Sequence, residues 1–599
     1  MKDFVKMVLA VICGLVIMGI ICFILTFGMI GSMAAAGSSK PVLPKSGVLK
    51  IDLGSMVIGE QTQEGSPFGN MDPTTLVMGG SMETPDVLGI WDAVQAVNAA
   101  ATDPAVKFIY LRTDDNATDV ATLGELREAL AHFRATSGKP VVAYMENPGA
   151  ATYYLASVSD KIYMAPYLGI TPQFTGVGTQ MYFLGDLLKR FGVNMQLIRH
   201  GKYKSAGEMY TRGSSSAENR EQYQRMIDSM WETLGSTIAE ARGIDIAQLD
   251  EAISGLKLRL PEDFVTCGLA DELLDQDALE NKLAALAVEE KYKNIKWIGL
   301  SDYASAKLVP SKVRQKIAVI YADGEIVDGS GKSDIAGDRF AKLINKVCAD
   351  STVKAVVLRV NSPGGSVTAS EKIKAALDKL QAEKPVVASY GAYAASGGYW
   401  ISNNCNKIFS DAATLTGSIG VFGLVPDFSK TASDIAHVGV ESVTSHKHGD
   451  MLGLMRPLDK DEYDFMLTGI EAVYDRFTTI VSEGRGIPKE TVDAIGQGRV
   501  WTGADALKIN LVDEIGTLED AIRYAAVAAG EGDLEKWNIK GYPAPPTSME
   551  QLMNLLGEKK GGDDALLRAV PASASLIESL RRATQPQVFA RLDTEIEVK

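Results

Sequence analysis

The chain has 599 residues, with 60 Lys and Arg against 75 Asp and Glu, a net charge of −15. No basic block offsets that acidic balance, which excludes a nucleic acid as the main ligand, and the length allows several domains around a large core. The five cysteines and five histidines show no convincing metal-type spacing.

Residues 7–39 carry no charge, and 7–30 are almost uniformly apolar, long enough at about 1.5 Å per residue to cross a bilayer. A cleavable signal peptide has an apolar core of only about 7–15 residues, so residues 1–40 read as a single membrane anchor, although Ala34-Ala35-Ala36 mimics a cleavage site. Lys2 and Lys6 before the span are matched by Lys40 and Lys45 after it. Orientation therefore follows the commoner arrangement, a single-pass protein of the cytoplasmic (inner) membrane with its large body on the extracytoplasmic side.

Two similar units follow. A strand is predicted over 48–53, and a similar start recurs at IAVIYADGEIVDG from Ile317. KFIYLR from Lys107 matches KAVVLR from Lys354, and KPVVAYMENPGAATYYLAS from Lys139 matches KPVVASYGAYAASGGYWIS from Lys384. The nearly constant offset implies a tandem duplication of an α/β unit of about 250 residues, a first repeat over 47–300 and a second over 316–556. Strands alternate with amphipathic helices, as at Leu123, Leu126, Leu130 and Phe133, which predicts largely parallel sheets. Residues 60–85, rich in Gly, Met, Thr and Ser, read as a loop. In Arg199-His200-Gly201-Lys202-Tyr203-Lys204-Ser205-Ala206 the lysines by themselves read as solvated.

Chemistry concentrates in the second unit. After a strand over 355–360 comes Asn361-Ser362-Pro363-Gly364-Gly365-Ser366, whose proline and glycines allow N–H groups to turn into a cleft. A helix is predicted from Ser370 and Glu371, with Ile373, Leu377 and Leu380 on one face. A buried strand from Pro385 to Ala388 then breaks at Gly391 and passes through Ala394-Ala395-Ser396-Gly397-Gly398 into a helix. There a serine oxygen projects at the mouth of the sheet near a helix N-terminus. In the first unit Ala151 stands where Ser396 would be, and Asp114-Asp115-Asn116-Ala117-Thr118 where the glycine loop would be. His446 and His448 flank Lys447 in what reads as a solvated loop. From Gly557 a tail follows, in which a loosely attached helix is predicted.

The serine turn, the glycine loop before it and the YKSA stretch together resemble signal peptide peptidase A, or protease IV, a family of membrane-bound serine peptidases. The resemblance covers almost the whole chain beyond residue 40. It implies a fold shared with caseinolytic proteases (ClpP) and crotonases, used twice, and a Ser/Lys dyad with Ser396 as nucleophile and Lys204 as base. It makes Ser418, in Leu415-Thr416-Gly417-Ser418, the hydroxyl that orients the lysine amine. Gly365 and Gly397 are favoured for the oxyanion hole, with Gly364 as alternate. A lysine base works only when neutral, so Lys204 is expected to be buried. Lys447 lacks the YKSA context and is read as a decoy. The implied partners are peptide substrates, above all signal-peptide remnants, the lipid bilayer, and further copies of the chain in a tetrameric ring. No cofactor or metal is needed. One-repeat relatives draw serine and lysine from adjacent subunits, whereas here each chain is expected to supply both. The competing readings are a crotonase-type acyl-CoA hydratase or isomerase, against which stand the span and the turn serine, and a non-catalytic membrane scaffold.

Overall fold

Runs such as AVVLRV and VVASY have no alternating polar face, so strands made from them need cover on both sides. They become inner strands of parallel sheets. The computed structural model describes residues 40–63, 86–167, 174–331, 334–545, 587–591 and 597–598. The predicted span over 7–30 and most of the predicted 60–85 loop lie outside these residues. Among the described residues no helix is long and apolar enough to cross a membrane.

The first repeat forms a parallel sheet in the order Trp297–Gly299, Gly47–Asp52, Val106–Arg112, Val141–Met145, Lys161–Met164 and Glu272–Leu273. The second builds the same pattern from Asn538–Tyr542, Lys316–Asp323, Val353–Ser362, Val386–Ala395, Lys407–Ser410 and Glu514–Ile515. Corresponding helices, Val120–Ser137 and Val367–Gln381, follow corresponding strands. The two units nevertheless meet in one shared core cluster, beside a core of their own. Leu123, Leu126 and Leu130 of the first pack in the same apolar cluster as Val319, Val357 and Ile522 of the second.

Through that shared core runs an ion cluster. Arg359, 1% exposed, pairs with Glu60 at 2.7 Å and Glu125 at 2.6 Å, both from the first repeat. Its Nη1 also donates to Ser389 Oγ and the Tyr390 carbonyl. Burial pushes the Glu60 carboxyl up to about 7, against the pull of Arg359. For Arg359 burial works the other way, but the charges of Glu125 and Glu60 outweigh it and hold the guanidinium above its usual range.

Three local predictions need correction. The strand expected to break at Gly391 runs on to Ala395; the glycine is there because a Cβ would lie 2.5 Å from the Glu60 carboxylate. The helix expected from Ser370 begins at Val367, because Ser366 caps it by accepting from Ala369 N. Within the tail, most of which lies outside the described residues, Gln587–Arg591 is a strand and not part of a helix.

A third sheet joins the repeats, in the order Ile335–Ala336, Ile326–Val327, Gly364–Ser366, Gln587–Arg591, Val421–Asp427, Asn194–His200. Its last pair is decisive for the site. Asn194–His200 of the first repeat runs antiparallel to Val421–Asp427 of the second through seven register pairs, from Asn194 opposite Asp427 to His200 opposite Val421. The loop after His200 is thereby delivered to the second repeat.

Candidate active site

Ser396 sits between the strand Val386–Ala395 and the helix Gly397–Ser402. Its backbone is at φ 54°, ψ −111°, a region that costs a residue with a Cβ of order 1–3 kcal/mol and persists only when the surroundings impose it. They do: Ser396 N donates to the Gly417 carbonyl at 2.8 Å, and its own carbonyl accepts from Trp400 N at 2.8 Å. The side chain is fully buried.

Lys204 reaches it from the other repeat. Its Nζ lies 2.8 Å from Ser396 Oγ, 3.0 Å from Ser418 Oγ and 3.2 Å from the Ser418 carbonyl, and the side chain is 1% exposed. Ser418, itself at φ 50°, is fixed by N–H donation to the Arg499 carbonyl. Supports that sequence reasoning missed hold the lysine loop in place. Arg199 Nη1 donates to the Lys204 carbonyl at 2.8 Å and pairs with the buried Glu208. Gln222 donates to the Tyr203 carbonyl and Ser205 Oγ while accepting from Val500 N. A glutamine amid the apolar face of the helix Ala217–Arg242 was the available signal.

The two glycine loops touch. A Cβ on Gly397 would lie 3.1 Å from Gly365 N, and one on Gly365, at φ 152°, would lie 1.9 Å from the Ile326 carbonyl. Only glycine allows such an approach, and it brings the backbone of the Gly364-Gly365 loop against Gly397, the residue after Ser396. Gly364 N instead donates to Ser362 Oγ at 3.2 Å.

The first repeat's counterpart is built differently. Its helix starts at Ala150 after Gly149, so Ala151 lies in the first turn of a helix and not on a strained elbow. Where the glycine loop would be, Asp114 accepts from both Glu146 N and Asn147 N at 2.9 Å. A cavity of about 410 Å³ remains there, lined in part by Asp115, Thr118, Ala151 and Tyr393. Ala151→Ser is therefore expected to create no second nucleophile: each missing oxyanion donor withholds about 3–4 kcal/mol. Mass spectrometry after fluorophosphonate treatment checks this, and adduct at position 151 would refute it.

The remaining candidates lie apart from the site. Lys447 is exposed and paired with Asp461 at 2.8 Å; His446 contacts its neighbour Ser445. His448, Asp459 and Glu462 approach one another closely enough to hold an ion, but both Glu462 oxygens already accept from Arg456 at 2.6 Å. That guanidinium holds the carboxyl down to about 2, which satisfies the cluster's charge without a metal. Cys267, Cys348 and Cys405 are free thiols.

The sequence profile of Peptidase family S49 matches residues 134–289 and again 378–531. Protease 4 of Haemophilus influenzae is 32% identical over 568 residues, 91% of this chain and 90% of that protein. Protease 4 of Salmonella typhi is 35% identical over 80% of this chain and 78% of its own. The chloroplastic serine protease SPPA of Arabidopsis thaliana is 28% identical over 82% of this chain and 73% of its own. Among solved structures, ClpP1 from Listeria monocytogenes is 16% identical with a TM-score of 0.22, covering 34% of this chain and 92% of that one.

Proposed function

Since the chain belongs to peptidase family S49, as a serine peptidase of the protease IV type with that family's domain present twice, we propose that it cuts extended apolar peptides with a Ser396/Lys204 dyad. The observation that supports this most directly is the 2.8 Å contact between Lys204 Nζ and Ser396 Oγ, with both side chains buried. In this reading Ser396 Oγ attacks the scissile carbonyl carbon and its proton passes to the neutral Lys204 amine, oriented by Ser418. The Gly365 and Gly397 N–H groups stabilise the oxyanion. Lys204 then gives the proton to the departing amine, and water, deprotonated by the same lysine, hydrolyses the ester.

Phe422 and Leu424, buried on the strand Val421–Asp427 of the same sheet as Gly364–Ser366, pack with Leu188, Met195, Leu197 and Met209. In this reading the substrates are apolar peptides, and remnants of cleaved signal peptides have that chemistry. In the same proposal residues 7–30 tether the body to the outer face of the cytoplasmic membrane, and the chains assemble as a tetrameric ring. A charged, membrane-impermeant fluorophosphonate applied to intact spheroplasts tests function and side together. The expected result is a covalent adduct on Ser396. Labelling only after lysis would place the body on the other side, and no labelling of protein that turns over peptide would remove Ser396 from the mechanism.

A further inference from the structure

The third sheet contains a position that the two repeats leave for the tail. Gly364–Ser366 and Val421–Asp427 are not neighbours; Gln587–Arg591 lies between them, antiparallel to both. On one side Gly364 stands opposite Arg591, Gly365 opposite Ala590 and Ser366 opposite Phe589. On the other, Phe422 stands opposite Phe589, Gly423 opposite Val588 and Leu424 opposite Gln587. Without this segment, two strand edges would face each other across a gap one strand wide, about 10 Å from edge to edge. Each edge would present backbone donors and acceptors at strand spacing.

Those edges belong to the active site. One carries Gly365 of the proposed oxyanion pair, and the other pairs with the strand that ends at His200 and delivers Lys204. The tail therefore runs along the glycine loop, with Ala590 in register with Gly365. Just beyond that point Arg591 Nη1 is held by Glu325 Oε1 at 3.1 Å. A gap of this kind selects an extended backbone and little else, because main-chain pairing supplies the affinity.

We propose that residues 587–591 are a tethered competitor. They occupy by strand addition the groove that an extended peptide substrate must enter, and substrate binds by displacing them. This rests on the peptidase reading above. Three register pairs on each side make a short strand, and short isolated pairings are marginal, so displacement is within reach of a peptide that pairs as well. A tether that holds the competitor near millimolar effective concentration, against a dissociation constant about ten times lower, slows the enzyme roughly tenfold.

The test is the full chain carrying Val588→Pro and Phe589→Pro together. Consecutive strand residues point their N–H groups to opposite neighbours, so the two prolines remove one donor on each side. Hydrogen exchange is measured in a Ser396→Ala background, which makes it independent of activity. Amides of 364–366 and 421–425 are expected to exchange at least about tenfold faster in the proline variant, with those of Val386–Ala395 unchanged as a check on the fold. With Ser396 present, kcat/KM for a short apolar fluorogenic peptide is expected to rise roughly tenfold. Unchanged exchange at both edges would overturn docking of the tail. Faster exchange without faster hydrolysis would overturn the competition, since the groove would not be the substrate's path. No hydrolysis by either form, with exchange responding as expected, would overturn the peptidase reading and leave the docked tail standing.

Discussion

Ser396→Ala and Lys204→Ala are each expected to lower peptide turnover by roughly four to six orders of magnitude, to the background left by binding and the oxyanion amides alone. In the proposed mechanism the two side chains act as one unit across their 2.8 Å contact, so the double variant should be scarcely slower than either single one. Lys204→Arg should fail as completely, because a guanidinium accepts no proton at usable pH. Ser418→Ala should cost less, since the amine keeps the Ser418 carbonyl at 3.2 Å. In the proposed mechanism one chain supplies both Lys204 and Ser396, so mixing Ser396→Ala with Lys204→Ala protein under subunit exchange should leave activity at background. Appreciable turnover in Lys204→Ala would assign the base elsewhere, and recovery on mixing would move the lysine to a neighbouring chain.

Arg359→Ala is expected to be the most damaging change away from the dyad, lowering stability by about 3–5 kcal/mol. It leaves Glu60 and Glu125, 5% and 2% exposed at their side chains, without their shared countercharge in the core that joins the repeats. Urea unfolding measures this, and a loss under about 1 kcal/mol would show that the cluster contributes little. The cluster also predicts a pH dependence. The Glu60 carboxyl is raised by burial from 4.5 to about 7, so the folded protein holds that proton more tightly than the unfolded chain does. Its contribution is fully present below about pH 4.5 and is lost as pH rises through 7. Glu60→Gln, which keeps an acceptor for Arg359, should flatten the fall in stability between pH 5 and 8.

Much of the candidate site was legible because its parts are short contiguous patterns. The serine turn, the glycine loop and the YKSA stretch are each readable without knowing what they touch. The duplication, read from KFIYLR against KAVVLR, anticipated two similar sheets. What could not be read were meetings between distant residues. Arg359 interrupts an otherwise apolar strand buried on both faces, a signal that some carboxylate must meet it, yet nothing local pointed to Glu60, 299 residues away. Gln222 and Arg199 escaped notice for the same reason. The tail strand escaped because its pattern is too short to tell strand from helix, and its form is set by two partners of high sequence separation.

The antiparallel pairing of Asn194–His200 with Val421–Asp427 also sets an order in time. Lys204 and Ser396 are 192 residues apart in the chain, which at a synthesis rate of about 5–20 residues per second is a delay of roughly 10–40 s. Throughout that interval the lysine's strand has no sheet to join, and the nucleophile has not been made. The nascent chain thus brings no paired Lys204 and Ser396 among the other unfolded polypeptides around it, and the residues that cross the finished groove are made only after both of its edges.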